Sequence, residues 1–151
     1  MKHFIIDGNN LIGKVNSLWQ LQKKDPQASR EKLAFKLDRY FSNKTYKTTL
    51  HFDGFPADAI RTNYLKIEYS ENKTADENIK FEIEISNNPK LVTLVSSDHN
   101  LIEFARVCSC SVIKSEEFAK KLNKSNNNAD EQSLAKDISD DEIRKLFGVT
   151  D

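Results

Sequence analysis

Three short apolar runs in this chain each stop on an aspartate. Asp7 closes "HFII" (3–6), Asp53 closes "TTLHF" (48–52), and Asp98 follows "KLVTLVSS" (90–97). A fourth acid, Asp76, stands in "TADEN" (74–78), where Thr74 and Glu77 have the S/T-x-x-E spacing of a helix-opening capping box. Taken singly, an Asp after a strand reads as a turn or N-cap residue, and Asp76 at a helix start suits the macrodipole. Taken together they suggest more. If the runs are parallel strands, their C-terminal ends share one edge of the sheet, the edge where such folds bind ligands. Carboxylates gathered there repel one another and call for a positive partner. Mg²⁺ or Mn²⁺, which prefer oxygen ligands, are the natural candidates, and such centres commonly carry out phosphoryl transfer. Asn10, three residues after Asp7, adds an amide as a neutral ligand or a hydrogen bond to a phosphate.

The elements that must position these acids follow from apolar periodicity and stop signals. Strands are expected at 3–6, 48–52, 64–69, 90–96 and 110–113. Helices are expected from Leu11 to about Lys24, ended by Asp25-Pro26, and from an N-cap at Ser29 through Phe41. Further helices are expected from Asp98 to Val107, and from a cap at Ser115 to about Asn123. The stretch 74–86 carries two signals. Ile79, Phe81, Ile83 and Ile85 alternate as in a strand, yet the capping box and the shared face of Ala75, Ile79 and Ile83 specify a helix. We assign helix, since a parallel strand on either side requires such a crossover. The order β-α-α-β-β-α-β-α-β-α implies an α/β fold of three layers, with a central, mainly parallel five-stranded sheet. One domain spans 1–123. Residues 124–151 read as a polar linker followed by a short C-terminal helix, opened by the spacing of Ser139 and Glu142.

Composition narrows the classes further. The 151 residues are one domain's worth of chain, with no run apolar enough to span a membrane and no signal-peptide core near the N-terminus, so a cytoplasmic protein is expected. The two cysteines, Cys108 and Cys110, read as reduced thiols. No G-x-G-x-x-G, Walker A or G-x-S-x-G motif occurs. Asp7 lacks the second acid of an aspartyl-phosphate phosphatase or a receiver domain. His3, His51 and His99 are too scattered for a local zinc motif. Net charge is zero but polarised: residues 1–66 hold 12 Lys/Arg against 6 Asp/Glu, and residues 67–151 hold 11 against 17. A basic half can attract phosphate backbones. Arg30, Lys32, Lys36 and Arg39 on the second helix, Lys44 and Lys47 after it, and Arg61 after Asp53 are the candidates to flank an acidic edge; otherwise they are solvated helix faces.

The strings "IIDGNNLI", "HFDG", "TADENI" and "TLVSSDHNL", in that order, resemble the NYN domains of the PIN-like nuclease superfamily, in particular the YacP-like ribonuclease branch, over residues 3–119. The resemblance implies a PIN-like fold and metal-dependent cleavage of RNA phosphodiesters by clustered acids. Asp7, Asp76 and Asp98 would be the metal ligands and catalytic acids, with Asn10 as their polar companion. Asp53 and Glu77 would stand behind them. It also implies an RNA partner, whether mRNA, tRNA or ribosome-bound RNA, and possible contact with the ribosome itself. Two departures bear on substrate contacts: His99-Asn100-Leu101 stands where the family often has a Gln, and "ARVCSCSVI" replaces a glycine-rich turn. A rival reading is an RNA-binding or ribosome-associated module that keeps the fold with little catalysis; the presence of all four motif acids speaks against it.

Overall fold

β1 (His3–Asp7) is the middle of the sheet and its side chains alternate between two apolar layers. Phe4 and Ile6 enter one core; Ile5 enters the other. In the computed structural model, which describes residues 1–125, β1 pairs on one side with β2 (Lys47–Phe52) and on the other with β4 (Val92–Val95). β3 (Lys66–Tyr69) lies outside β2 and β5 (Ser111–Ile113) outside β4. Every pairing is parallel and the order is β3-β2-β1-β4-β5. The "mainly parallel" sheet expected from the element order is thus wholly parallel. Strand order reverses between β1 and β4, so the crevice of a doubly wound sheet opens at the C-terminal ends of these two strands.

Helices cover both faces. α1 (Gly8–Ile12), α2 (Asn16–Lys24), α3 (Pro26–Phe41) and a last helix, α6 (115–125), pack on one. α4 (Ala75–Glu84) and α5 (His99–Val107) pack on the other. The conflict at 74–86 resolves as helix, with both halves of the capping box formed. The tertiary reason is that β3 and β4 run parallel on opposite sides of the sheet centre, and a crossover has to cover the face between them. The β2–β3 crossover, 53–65, has no helix of its own. It is strapped to α3 instead: Asp38 accepts hydrogen bonds from the Asn63 and Tyr64 amides, and the Gln27 amide donates to the Asp58 carbonyl.

Three local expectations are corrected. The helix expected over 11–24 is two helices, because after Ile12 the chain tightens into i→i−3 bonds from Lys14 to Leu11 and from Val15 to Ile12, beside Gly13. Ser29 is not an N-cap. Asp25 caps α3 by accepting from the Ala28 amide, Pro26 takes the first helical position, and Ser29 is buried with its hydroxyl on the Leu18 carbonyl, tying α2 to α3. Ser115 opens α6, but its hydroxyl goes to Asn10 rather than back to its own helix. The tail expected as linker and terminal helix lies outside the described residues from 126 onward.

Gly8 is there for close approach. A Cβ on it would sit 2.6 Å from the His51 carbonyl oxygen and 2.8 Å from the Phe52 ring. α1 therefore starts flush against the end of β2, and nothing larger than hydrogen fits. Gly8→Ala should destabilise by about 1–3 kcal/mol, as overpacking against fixed backbone does, and a urea midpoint shifted down with unchanged m-value will show it.

Candidate functional site

Asp7, the last residue of β1, is 6% exposed and accepts a 2.9 Å hydrogen bond from the Ser96 hydroxyl at the end of β4. This bond crosses the crevice where strand order reverses. Ser96 turns its oxygen to the Asp98 amide as well, at 3.1 Å, so one hydroxyl couples the two strand-end acids. Asp98 is the N-cap of α5: its carboxylate accepts the Leu101 amide at 3.0 Å. Asp53 follows β2 and accepts the Ala75 amide at 2.9 Å, which pins the first residue of α4, immediately before Asp76, to the end of β2. Its own amide is held in turn by the side-chain oxygen of Asn9. Each of these placements is what an N-cap or turn aspartate would do anyway; their arrangement is what brings the acids together.

The electrostatics record that arrangement. Burial raises the Asp7 carboxyl from 3.8 to about 6; the Ser96 hydroxyl and the backbone N–H of Asn10 oppose the rise, while the charges of Asp76 and Asp53 add to it. Asp76, partly buried, is also raised, first by burial, then by Asp98 and Asp53, with Lys80 opposing. Charge from Asp76 and Asp53 thus reaches Asp7, and charge from Asp98 and Asp53 reaches Asp76, along the C-terminal edge of β1, β2 and β4. Among the described residues, no group of three or more His, Cys, Asp or Glu side chains is arranged as it would be around a bound ion.

Asn10 belongs to the same edge. Its side-chain oxygen accepts the Ser97 amide at 2.9 Å and the Ser115 hydroxyl at 2.7 Å. A backbone N–H can face only an acceptor, so the side-chain oxygen is committed to the scaffold; the Asn10 backbone N–H serves Asp7, and the side-chain NH₂ is what Asn10 has to offer a substrate. That makes it a donor suited to a phosphate oxygen rather than a ligand for a cation. Glu77 completes the capping box: its carboxylate accepts the Thr74 amide at 3.0 Å while its own amide donates to the Thr74 hydroxyl at 3.1 Å. This is a structural use.

The basic residues separate differently from the expectation. Arg30 is at the acidic edge, but its guanidinium is occupied by the Asp53 and Phe55 carbonyls and lies over the Phe52 and Tyr69 rings. From there α3 runs away along the sheet, and Phe41 at its end packs on Phe4 near the start of β1. At 1.5 Å per residue, Lys36 and Arg39 are about 9 and 14 Å further along the axis from Arg30. Arg61 is exposed and lines an open cavity of about 660 Å³ with Tyr69 and the β2–β3 crossover. Sequence reasoning missed three lysines that act on carboxylates in this region. Lys80 acts on Asp76 from one helical turn away, an i,i+4 spacing that could have revealed it. Lys14 and Lys114 both act on Glu116, which binds the Ser97 hydroxyl beside Asn10. No linear motif joins these two; only the fold does.

Among the described residues no helix is long and apolar enough to cross a membrane. The profile of the YacP-like NYN domain matches residues 4–146, so the match continues past residue 123. No curated protein sequence matches the chain. Among solved structures, it is similar to crystal structures of Rae1 (YacP) from Bacillus subtilis. One is 21% identical, with a TM-score of 0.76 over 94% of this chain and 84% of that one. A Trp-to-Leu variant of the same protein is 18% identical, with a TM-score of 0.73 over 91% and 83%. At that identity the likeness shows the fold: an all-parallel five-stranded sheet flanked by helices. Fold and profile agree, and the chain belongs to the YacP-like NYN domain family, a branch of the PIN-like nucleases.

Proposed function

We propose that this protein is a metal-dependent endoribonuclease that hydrolyses RNA phosphodiester bonds at the edge formed by Asp7, Asp76 and Asp98. The observation that carries this reading is the gathering of strand-end and helix-start acids at one sheet edge, where the Ser96 hydroxyl links a buried Asp7 to the Asp98 amide and the charges of neighbouring acids act on Asp7 and Asp76. An all-oxygen, anionic donor set whose members destabilise one another suits a hard divalent cation. Asp7, Asp76 and Asp98 would hold Mg²⁺ or Mn²⁺, which when bound would polarise the phosphate and lower the pKa of water. The chain's own residues supply the rest. Ser96 orients Asp7 and spaces it from Asp98. Asp53 fixes the start of α4 and with it the backbone of Asp76. The Asn10 NH₂, aimed by the two bonds on its oxygen, would donate to a non-bridging phosphate oxygen. Lys14, Lys80 and Lys114 would take the phosphates on either side of the cut.

Incubation of a single-stranded RNA with the protein and Mn²⁺ should yield internal cleavage that excess chelator stops; cleavage at an unchanged rate in chelator would overturn the reading. Binding should weaken with salt, with a log–log slope of about −0.7 per phosphate contacted. Replacing Lys14, Lys80 and Lys114 together by Ala in an Asp98→Asn background should flatten that slope by about 2. Replacing Lys36 and Arg39 should leave it nearly unchanged. The reverse pattern would move the RNA path onto α3.

A further inference from the structure

Under α4, on the face of the sheet shared with Asp7, lies a polar cluster that the acidic edge does not explain. The Glu82 carboxylate accepts from the Thr49 hydroxyl at 2.7 Å and stands 2.8 Å from His3 Nε2 and 2.7 Å from His51 Nε2. His51 is buried, and the Glu82 side chain is only 17% exposed. Burial alone would favour a neutral carboxyl, but the bonds from His3, His51 and Thr49 and the charge of His51 overcome it and hold Glu82 well below the usual carboxylate range. These partners come from β1 and β2, and His51 is the register partner of Asp7.

α4 otherwise rests on the sheet through Ala75, Ile79 and Ile83. Apolar contacts are non-directional and fix the roll of a helix less sharply than directed hydrogen bonds do. On a helical projection of 100° per residue, Glu82 and Asp76 flank this stripe on opposite sides, about 9 Å apart along the axis. A roll that lifts Glu82 from the sheet must therefore swing Asp76. The Asp53–Ala75 bond fixes the height of the N-terminal end but acts close to the axis and resists rotation poorly.

We infer that Glu82 is a positioning residue for Asp76: by gripping His3, Thr49 and His51 it sets the roll of α4 and so where the Asp76 carboxylate stands relative to Asp7 and Asp98. The inference rests on the nuclease reading above. Misplacing a reacting group by about 1 Å can cost about 100-fold in rate. In the full chain, well below its melting temperature, Glu82→Gln should lower kcat on single-stranded RNA by about 10–100-fold, with KM within about threefold. It should also weaken Mn²⁺ binding, measured by calorimetry on the RNA-free protein. His3→Gln with His51→Gln keeps two N–H donors for Glu82 and should retain both properties. His3→Leu with His51→Leu removes the donors and should behave as Glu82→Gln does. If Glu82→Gln does not fold, this pair of double variants decides the matter. Parental kcat and Mn²⁺ affinity in a folded Glu82→Gln or double-Leu variant would overturn the inference. Parent and Asp98→Asn run alongside separate the claims: an inert Asp98→Asn beside a fully active Glu82→Gln sinks the positioning role alone, an active Asp98→Asn sinks the placing of the reaction at the acidic edge, and a parent that cleaves no RNA sinks the nuclease reading.

Discussion

Asp98→Asn and Asp7→Asn are each expected to reduce RNA cleavage by about 10³-fold or more while the protein stays folded. A carboxylate that helps hold a catalytic cation underwrites several kcal/mol of transition-state charge stabilisation, and each 1.36 kcal/mol is a factor of ten in rate. The amide keeps the shape: Asn at either position can still accept the Ser96 hydroxyl or the Leu101 amide that the acid accepts now. At position 7 the two consequences run in opposite directions. The folded state binds the Asp7 proton more tightly than the unfolded chain does, because its carboxyl rises from 3.8 to about 6. The resulting cost is absent below pH 3.8, grows as pH rises from there to 6, and is complete above. A rise of that size amounts to roughly 3 kcal/mol at neutral pH without a cation, at 1.36 kcal/mol per pKa unit. Asp7→Asn should therefore melt higher than the parent at pH 7.5, by roughly 5–10 °C, and lose that advantage near pH 4. Calorimetric melts of both proteins in chelator at the two pH values, beside single-turnover cleavage assays, check both halves. A variant that is no more stable than the parent at pH 7.5 contradicts the burial of charge at Asp7, and one that cleaves at the parental rate contradicts its catalytic use.

Glu82→Ala should destabilise the fold by about 1–3 kcal/mol, the usual cost of leaving part-buried hydrogen-bond donors without an acceptor. His3, Thr49 and His51 would all lose their shared acceptor at once. The pH dependence has the opposite sign to that of Asp7. Because the folded protein holds the Glu82 carboxyl below its ordinary 4.5, its contribution is fully present above that pH and is lost as pH falls below it. Parent and Glu82→Ala should therefore differ most in urea midpoint near neutrality and converge in acid. Equal midpoints at pH 7 would mean that water satisfies the cluster and that the carboxylate adds nothing to stability.

Much of the acidic edge was legible in the residues themselves. Buried parallel strands announce themselves as short apolar runs, and an Asp at the end of each run falls on a common edge whatever the strand order. The capping box decided the disputed segment 74–86 because two reciprocal hydrogen bonds are encoded within four residues. Asp7, Asp76 and Asp98 stand out in the sequence for that reason; in the structure the charge of Asp76 reaches Asp7 and that of Asp98 reaches Asp76. Charge counted along the chain does not say which cations border the edge. Arg30, Lys36 and Arg39 lie close together in sequence, but α3 carries the last two away from the edge and the fold occupies Arg30.

The sequence by itself determined the α/β class, the acids at the strand ends and the helix that presents Asp76, because each depends on bonds or periodicities confined to a few neighbouring residues. Tertiary structure alone decided the partners. Ser96 meets Asp7 from 89 residues away, Ser115 meets Asn10 from 105, and Glu82 meets His3 and His51 across the sheet. Such pairings depend on strand order and register, which many sequences satisfy with different side chains. Gly8 shows the same division. A glycine between Asp7 and Asn9 is by itself only a turn signal, but the constraint on it comes from the backbone of His51, 43 residues later, closing on a position where a side chain has no room.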